Sequence, residues 1–421
     1  MPAYFTPQDA SAILAATVRE ATGQETTIQQ VNTSNFASVG QTVLNTGKEN
    51  TFNALSAVIF RTMIMAKRYT QKLKVIRTKK TSLFEQTERV ISYYAKDPMP
   101  AANFNTNLWT NFQDGFTNGQ NPDSNGVPQS LKSMWEQNPP IPFEQFFLSC
   151  NVWDDCLTLY SNQIDAAFRG PEELARFANG YALEKENDIE SQKEAYSRLT
   201  LLNYLAMIYD QSSRMPRSAR NMTADYNAKF GTSYTSAQLR TTYLKSFLEF
   251  FVSEVKTDIL RLENRSALYH DAMPITIDGI QYSILRSSDR RDQRLLMYAP
   301  FWKDAEAMVM SEIFNENYLK IDNFEEIMFW QNEYDHPESI DVVPGVYDPI
   351  TGTQIAGNRV QIDYVLGTLH DGQACEVDFK LDDASATPWE SRKKYRNIWY
   401  HMAQGSTNNP TMKGILYYMA D

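Results

Sequence analysis

The chain is poor in the residues that build metal and redox centres. Among 421 residues there are three cysteines, Cys150, Cys156 and Cys375, and four histidines, His270, His336, His370 and His401. There is no CxxC pair, Cys150 and Cys156 stand six apart, and no histidine lies in an HExxH segment. Neither a structural zinc nor a metalloprotease site is spelled out. An odd, unclustered set of cysteines suits reduced thiols and synthesis in a cytoplasm. The phosphate-cradling GxxxxGK[ST], a GxGxxG that opens a helix and the GxSxG of a nucleophile turn are all missing. Asp154-Asp155 and the group Glu333, Asp335 and His336 are conceivable acid pairs or a cation site, but adjacent acids more often occupy a solvated face. The sequence therefore predicts no catalytic residue, no metal and no cofactor. Apolar runs fall short of the roughly 20 residues that cross a bilayer. The opening MPAYFTPQDASAILAATV lacks the basic start and apolar stretch of a signal peptide. Positive charge is also short: the net charge is −11. That argues against a tight, general nucleic-acid binder, but it is compatible with a container whose wall faces nucleic acid.

What the chain does have is material for cores and interfaces. Hydrophobic residues make up 42% and aromatics 12%, with 23 Tyr and 22 Phe, ample for a core without disulfide or metal staples. Residues 1–37 are polar and small, and read as an arm with at most a short helix over Ala10–Ala21 and little to bury. Phe52, Leu55, Val58, Ile59 and Met63 recur at helical spacing over 49–66. Residues 67–80 carry seven cations, Lys67, Arg68, Lys72, Lys74, Arg77, Lys79 and Lys80, in an alternating pattern that reads as a strand, with 84–95 as its return. The run could meet phosphate, but the acidic net charge favours an acidic protein neighbour. Residues 97–142 are dense in Asn, Pro and Gly yet hold Phe104, Trp109, Phe112, Phe116 and Trp135. A long irregular segment with aromatic side chains implies a docking element, set against a neighbouring subunit.

The clearest element begins at Gly170-Pro171-Glu172-Glu173, a proline-led, acidic helix start. Leu174, Phe177, Tyr181, Ile189, Tyr196, Leu199 and Leu202 mark one stripe to about Tyr209. Such a helix would be about 58 Å long, against a radius of gyration of roughly 22 Å for a compact chain of this length, which suits an elongated protomer. Residues 211–234 read as a basic, polar connector with Arg214, Arg217 and Arg220, candidates for facing nucleic acid inside a container. Thr235 and Gln238 form a capping box for a second long helix to about Leu262. The remainder is mixed: a hairpin over Ile275–Ile284 turning at Asp278-Gly279, strands at Arg294–Tyr298, Asn323–Trp330, Val360–Leu369 and Ala374–Lys380, a helix at Lys303–Phe314, and closing strands at Lys394–Met402 and Gly414–Met419. No internal repeat is present.

This order of parts, with the segments FASVGQTVLNTGKENTFNALSAVIFRTM, FRGPEELARFANGY and ESRKKYRNIWYHMAQGSTNNPTMKGILYYM, resembles the major capsid proteins of tailed double-stranded DNA bacteriophages, nearest to those of small short-tailed phages. The resemblance implies an α+β chain of the Hong Kong 97-type fold. Its parts would be an N-terminal arm (1–48), an N-terminal helix (49–66), an extended E-loop (67–150), a P domain (151–235) with its spine helix (171–209), an A domain (236–321), a return to the P domain (322–404) and a closing A-domain strand (405–421). It implies a virion protein made in the host bacterial cytoplasm. Copies would self-assemble as hexamers and pentamers into an icosahedral or prolate shell around the DNA genome, touching that DNA only non-specifically. Separate scaffolding, portal and decoration proteins are the further partners expected. Lys72, Lys74 and Arg77 at the loop root, and Trp109, Phe112 and Phe116 in the loop, are the expected subunit contacts. The Lys–Asn cross-linking set of some relatives has no match here. Three alternatives stand beside this reading: an encapsulin-type compartment shell, another virion part such as a portal, and an enzyme with an unfamiliar site.

Overall fold

The structure, a computed structural model, describes residues 12, 14–18, 36–46, 73, 76–81, 88–96, 140–147, 150–277, 280–305, 307, 323–347 and 354–421. The described helices are α1 (Phe36–Thr46), α2 (Ser161–Ala167), α3 (Pro171–Asp210), α4 (Met222–Phe230), α5 (Ser236–Arg240), α6 (Leu244–Glu263) and α7 (Ala299–Ala305). The strands are β1 (Arg77–Lys79), β2 (Glu88–Tyr93), β3 (Ala95–Lys96), β4 (Pro142–Phe147), β5 (Asn151–Tyr160), β6 (Ala219–Asn221), β7 (Ile275–Ile277), β8 (Ile280–Ser283) and β9 (Gln293–Tyr298), followed by β10 (Phe324–Ile327), β11 (Ile340–Val342), β12 (Gly345–Tyr347), β13 (Gln354–Ala356), β14 (Val360–Ile362), β15 (Tyr364–Asp371), β16 (Cys375–Ala386), β17 (Tyr395–Asn408) and β18 (Gly414–Met419). The mixed α+β character, the long helix and the sheet-rich C-terminal part follow the expectation. The helix expected at 49–66 lies outside the described residues.

The chain forms two compact units. The first comprises Met1–Thr87, Phe147–Leu202 and Cys375–Asn408; the second comprises Glu88–Phe146, Asn203–Ala374 and Asn409–Asp421. These bounds differ from the linear order expected. The stretch 322–374 was expected to return to the spine-helix domain, but it belongs to the second unit because β15 pairs with both β9 and β18. The chain re-enters the first unit only at Cys375.

In the first unit a four-stranded sheet runs in the order β1-β16-β17-β5. Strands β16 and β17 pair antiparallel from Cys375↔Asn408 to Ala386↔Ile398, and β5 lies antiparallel to β17. Alternation sorts the faces. Ile398, Tyr400 and Met402 point into a core with Leu159, Ile164, Phe168, Leu174 and Ile189, while Trp399 is exposed. That core also takes in Leu14, Val18 and Phe36. The N-terminal segment therefore has apolar anchors in its own chain, and the expectation of an arm with little to bury is corrected. Sequence reading also paired residues 67–80 with 84–95. In the structure β1 instead lies parallel to β16, and β2 pairs with β4.

Helix α3 spans 40 residues, with Glu172 and Glu173 in its first turn and ion pairs Lys193–Glu190 (3.4 Å) and Arg198–Glu194 (3.3 Å) along it. Residues 171–202 belong to the first unit and 203–210 to the second. Leu199, expected on the buried stripe, is 57% exposed, whereas Leu201 and Leu202 are buried.

In the second unit a five-stranded sheet runs β10-β9-β15-β18-β6, with the edge pairs β10–β9 and β18–β6 parallel and the inner pairs antiparallel. Seven of the eight residues of β15 are buried, as expected for a central strand covered on both faces. At Gly367 the β15–β18 register shifts, and a Cβ there would stand 2.6 Å from the Leu296 carbonyl, so only glycine fits. Helix α6 places Phe247 and Phe251 against Phe301 and Tyr417. Each such aromatic contributes about 2 kcal/mol by leaving water. The second long helix was expected to run unbroken from Thr235. The Thr235–Gln238 capping box does form, but it starts only the five-residue α5. The chain breaks after Thr241, Tyr243 stacks on Tyr234 at 4.0 Å, and α6 begins at Leu244. The expected polar connector holds a further helix, α4, capped by Asn221 at its start and ended by Gly231 at φ 65°. The helix expected at 303–314 begins earlier, at Ala299. The hairpin over 275–284 forms as β7 and β8.

Candidate functional site: the cationic segments

Two cation-rich segments were singled out by sequence. Their neighbours decide what their charge does. Of the loop-root residues, Arg77 lies on β1 of the first unit, while Lys72 and Lys74 lie outside the described residues, as do Trp109, Phe112 and Phe116. The parallel register sets Arg77 opposite Glu376 and Lys79 opposite Asp378. Arg77 Nη1 stands 3.1 Å from Glu376 Oε1, and the Lys79 ammonium pairs with the other oxygen of the same carboxylate. Glu376 is fully buried, whereas Arg77 is 46% exposed. Two residues beyond Lys79, the Thr81 amide donates to Asp378 Oδ1 (2.9 Å). An acidic protein neighbour was expected for this run, and for Arg77 and Lys79 the structure supplies one within the same chain.

That carboxylate face was legible but overlooked. Glu376, Asp378 and Lys380 alternate with Cys375, Val377 and Phe379 in the first half of β16. Charged residues at period two inside a buried strand require partners.

In the second unit, Arg214 is held by the Asp271 carboxylate, by the Tyr347 carbonyl and by Gln211 Oε1, the last two at 3.3 Å. Burial keeps the Asp271 carboxyl above its usual range, against the opposing pull of the Met273 amide and the Arg214 charge. Arg220 is engaged further. Its guanidinium bonds Asp225 (Nε to Oδ2, 2.9 Å), Glu254 (Nη2 to Oε2, 3.1 Å) and the fully buried Asp258. Arg261 Nη1 and the Tyr417 hydroxyl also donate to Asp258, at 2.9 and 3.0 Å, and Lys229 donates to Glu254 at 3.0 Å. Burial works against the Arg220 charge, but Asp258 and Asp225 outweigh it and hold its proton more tightly than usual. The Glu254 carboxyl is held below its usual range: burial opposes this, and the bonds from Lys229 and Arg220 prevail. Arg214 and Arg220 are thus internal cations neutralised by their own chain. The nucleic-acid-facing expectation concerns a side of the assembled wall, whereas what the fold fixes is that each guanidinium is engaged by a carboxylate of its own chain. Arg217 is exposed. The signal missed was Asp258: with Phe247, Phe251, Val255 and Leu262 it lies on the apolar stripe of α6, where a carboxylate needs cations.

Among the described residues, no three His, Cys, Asp or Glu side chains are placed to hold a metal ion, and no helix is long and apolar enough to cross a membrane. Cys150, Cys156 and Cys375 are free thiols.

A family model described as Phi29-like phage major capsid protein matches residues 131–418, more than half of the chain and segments of both compact units. The chain belongs to this family. The capsid protein builds a shell from copies of itself, has its place in the virion, and is a structural protein, not an enzyme. No curated protein matches it. Among solved structures it is similar to a chain of the capsid of Staphylococcus phage Andhra, at 15% identity and TM-score 0.49, covering 85% of this chain and 88% of that one. It is similar to a chain in the structure of head fiber and inner core protein gp22 of bacteriophage P68, at 13% identity and TM-score 0.49, covering 84% and 88%. A third is a chain of the capsid of Helicobacter pylori bacteriophage KHP30, at 10% identity and TM-score 0.41, covering 84% and 92%.

Proposed function

We propose that the capsid protein forms hexamers and pentamers of the Hong Kong 97-type arrangement, which tile an icosahedral or prolate shell around double-stranded DNA. The observation that carries this reading is the family match, which runs through the long helix, the β16–β17 hairpin and the five-stranded sheet. In this reading the first unit serves as the peripheral domain and the second as the axial domain. Residues 67–150 are the extended loop. Its aromatics, Trp109, Phe112 and Phe116, anchor on neighbouring copies, as buried aromatics commonly do at protein interfaces. Lys72 and Lys74 accompany them at the loop root, and the partners of Arg77 and Lys79 within the first unit supply a fixed base for that loop.

The protein is made in the host cytoplasm and touches packaged DNA through phosphate alone. Arg217, exposed on the segment after α3, is the cation of that set still open to phosphate. Scaffolding, portal and decoration proteins complete the particle.

Expression of the full chain with and without the scaffolding protein, followed by negative-stain microscopy, tests the reading: closed shells of uniform size are expected. A monodisperse monomer under both conditions overturns it. Trp109→Ala is expected to abolish or strongly reduce closed shells, and unchanged assembly would refute the loop-anchor assignment alone.

A further inference from the structure

The outward face of the first unit's sheet carries a group that shell building does not explain. Asp154 on β5, His401 on β17 and Ser385 on β16 come from three strands, and β17 brings them into one row. His401 is directly opposite Asp154 on one side and Asp383 on the other, and Ser385 is opposite Trp399, two residues before His401. His401 Nδ1 stands 2.6 Å from Asp154 Oδ1, and its Nε2 stands 2.8 Å from Ser385 Oγ. The nitrogens are used in a definite order. A carboxylate can only accept, so Nδ1 carries the hydrogen; in neutral His401 this leaves the Nε2 lone pair facing the Ser385 hydroxyl. A nucleophile bonded to a base, and the base held by a third group, is the arrangement that activates a serine. Trp399, 37% exposed and beside Ser385 on the same face, offers an aromatic wall.

We propose that Ser385 is an activated hydroxyl, a covalent modification site that takes acyl groups from activated aryl esters. In the step, Ser385 Oγ adds to the ester carbonyl carbon and its proton passes to His401 Nε2. The tetrahedral adduct then collapses, the bond to the aryl oxygen breaks, and the Nε2 proton leaves with the phenol. The product is an ester on Ser385, formed once per chain. Side-chain exposure of 36% for His401 and 48% for Asp154 leaves the site in water, so the gain is smaller than in a closed active site.

The test treats the full chain, as assembled particles, with p-nitrophenyl acetate, and maps acetylated serines by peptide mass spectrometry. Ser385 is expected to acetylate about ten-fold or more faster than the exposed Ser212 and Ser213 of the same molecules. His401→Gln is expected to remove that advantage and Asp154→Asn to reduce it. Ser385 acetylating no faster than Ser212 and Ser213 overturns the proposal, and that comparison needs no variant to fold. An undiminished rate at Ser385 in His401→Gln also overturns it.

Discussion

The two units solve the same problem, a buried carboxylate, in different ways. In the first, Glu376 is fully buried, but its cations Arg77 and Lys79 sit on an edge strand and are 46% and 22% exposed. In the second, Asp258 is equally buried and its main partner Arg220 is only 15% exposed, enclosed with Glu254, Asp225, Arg261 and Tyr417. The Glu376 cations keep much of their hydration and can return to water. The Arg220 guanidinium cannot leave without stranding several groups at once. An edge pair of this kind ties down a segment that leads elsewhere, and an enclosed network locks α4, α6 and β18 together.

The comparison can be broken by removing cations, then carboxylates. Arg220→Met should be the most damaging change: it strands Asp258 and Glu254 and should cost about 3–5 kcal/mol in urea unfolding of the dissociated chain. A loss below about 1 kcal/mol would show that Arg261 and Lys229 suffice. The double variant Arg77→Ala/Lys79→Ala should cost less, about 2–3 kcal/mol, because truncating two side chains of the edge strand β1 lets water approach the stranded Glu376. Glu376→Gln should cost still less, about 1 kcal/mol, since both cations can turn to solvent. Equal losses for the double variant and Glu376→Gln would remove the asymmetry argued here.

Titration sharpens the contrast. Glu254 has its folded value below the ordinary 4.5, so its stabilisation is present above pH 4.5 and is lost as the pH falls through the lower folded value. Glu254→Gln should therefore flatten the acid limb of the urea midpoint. Asp271 has its folded value above 3.8. Its contribution is fullest below pH 3.8 and declines as the pH rises through that folded value, so Asp271→Asn should steepen the same limb.

A further effect is alkaline. Burial pushes the Lys413 ammonium down from 10.5 to about 8, while Leu262 O and Ser266 Oγ accept from it at 3.3 and 3.1 Å. The unfolded chain binds more protons between those values, so stability should rise with pH from 8 towards 10.5, and Lys413→Met should remove that slope.

Much of the local architecture could be read directly. Pro171-Glu172-Glu173 announced α3, the Asp278-Gly279 turn announced β7 and β8, and the apolar runs after Lys394 and Gly414 announced β17 and β18. Each rests on neighbours a few residues apart, where periodicity, capping and turn chemistry operate. The cationic segments were found by charge density alone, and the carboxylates that hold Arg214 and Arg220 were not foreseen. Density does not reveal that Asp271 and Asp258 wait opposite. The buried position of Asp258 in the stripe of α6 was the available clue.

Composition, helical period and turn residues settled by themselves that this is an α+β chain with a long helix and a closing pair of strands, because those properties depend on short-range geometry. Tertiary structure alone decided that β1 runs parallel to β16, that Leu14, Val18 and Phe36 complete a core, and that Arg220 is sealed among carboxylates. Such pairings join residues far apart in the chain, as Arg77 and Glu376 on β1 and β16. They follow from which surfaces meet after the chain collapses; a local pattern can show that a buried charge needs a partner, but not which residue supplies it.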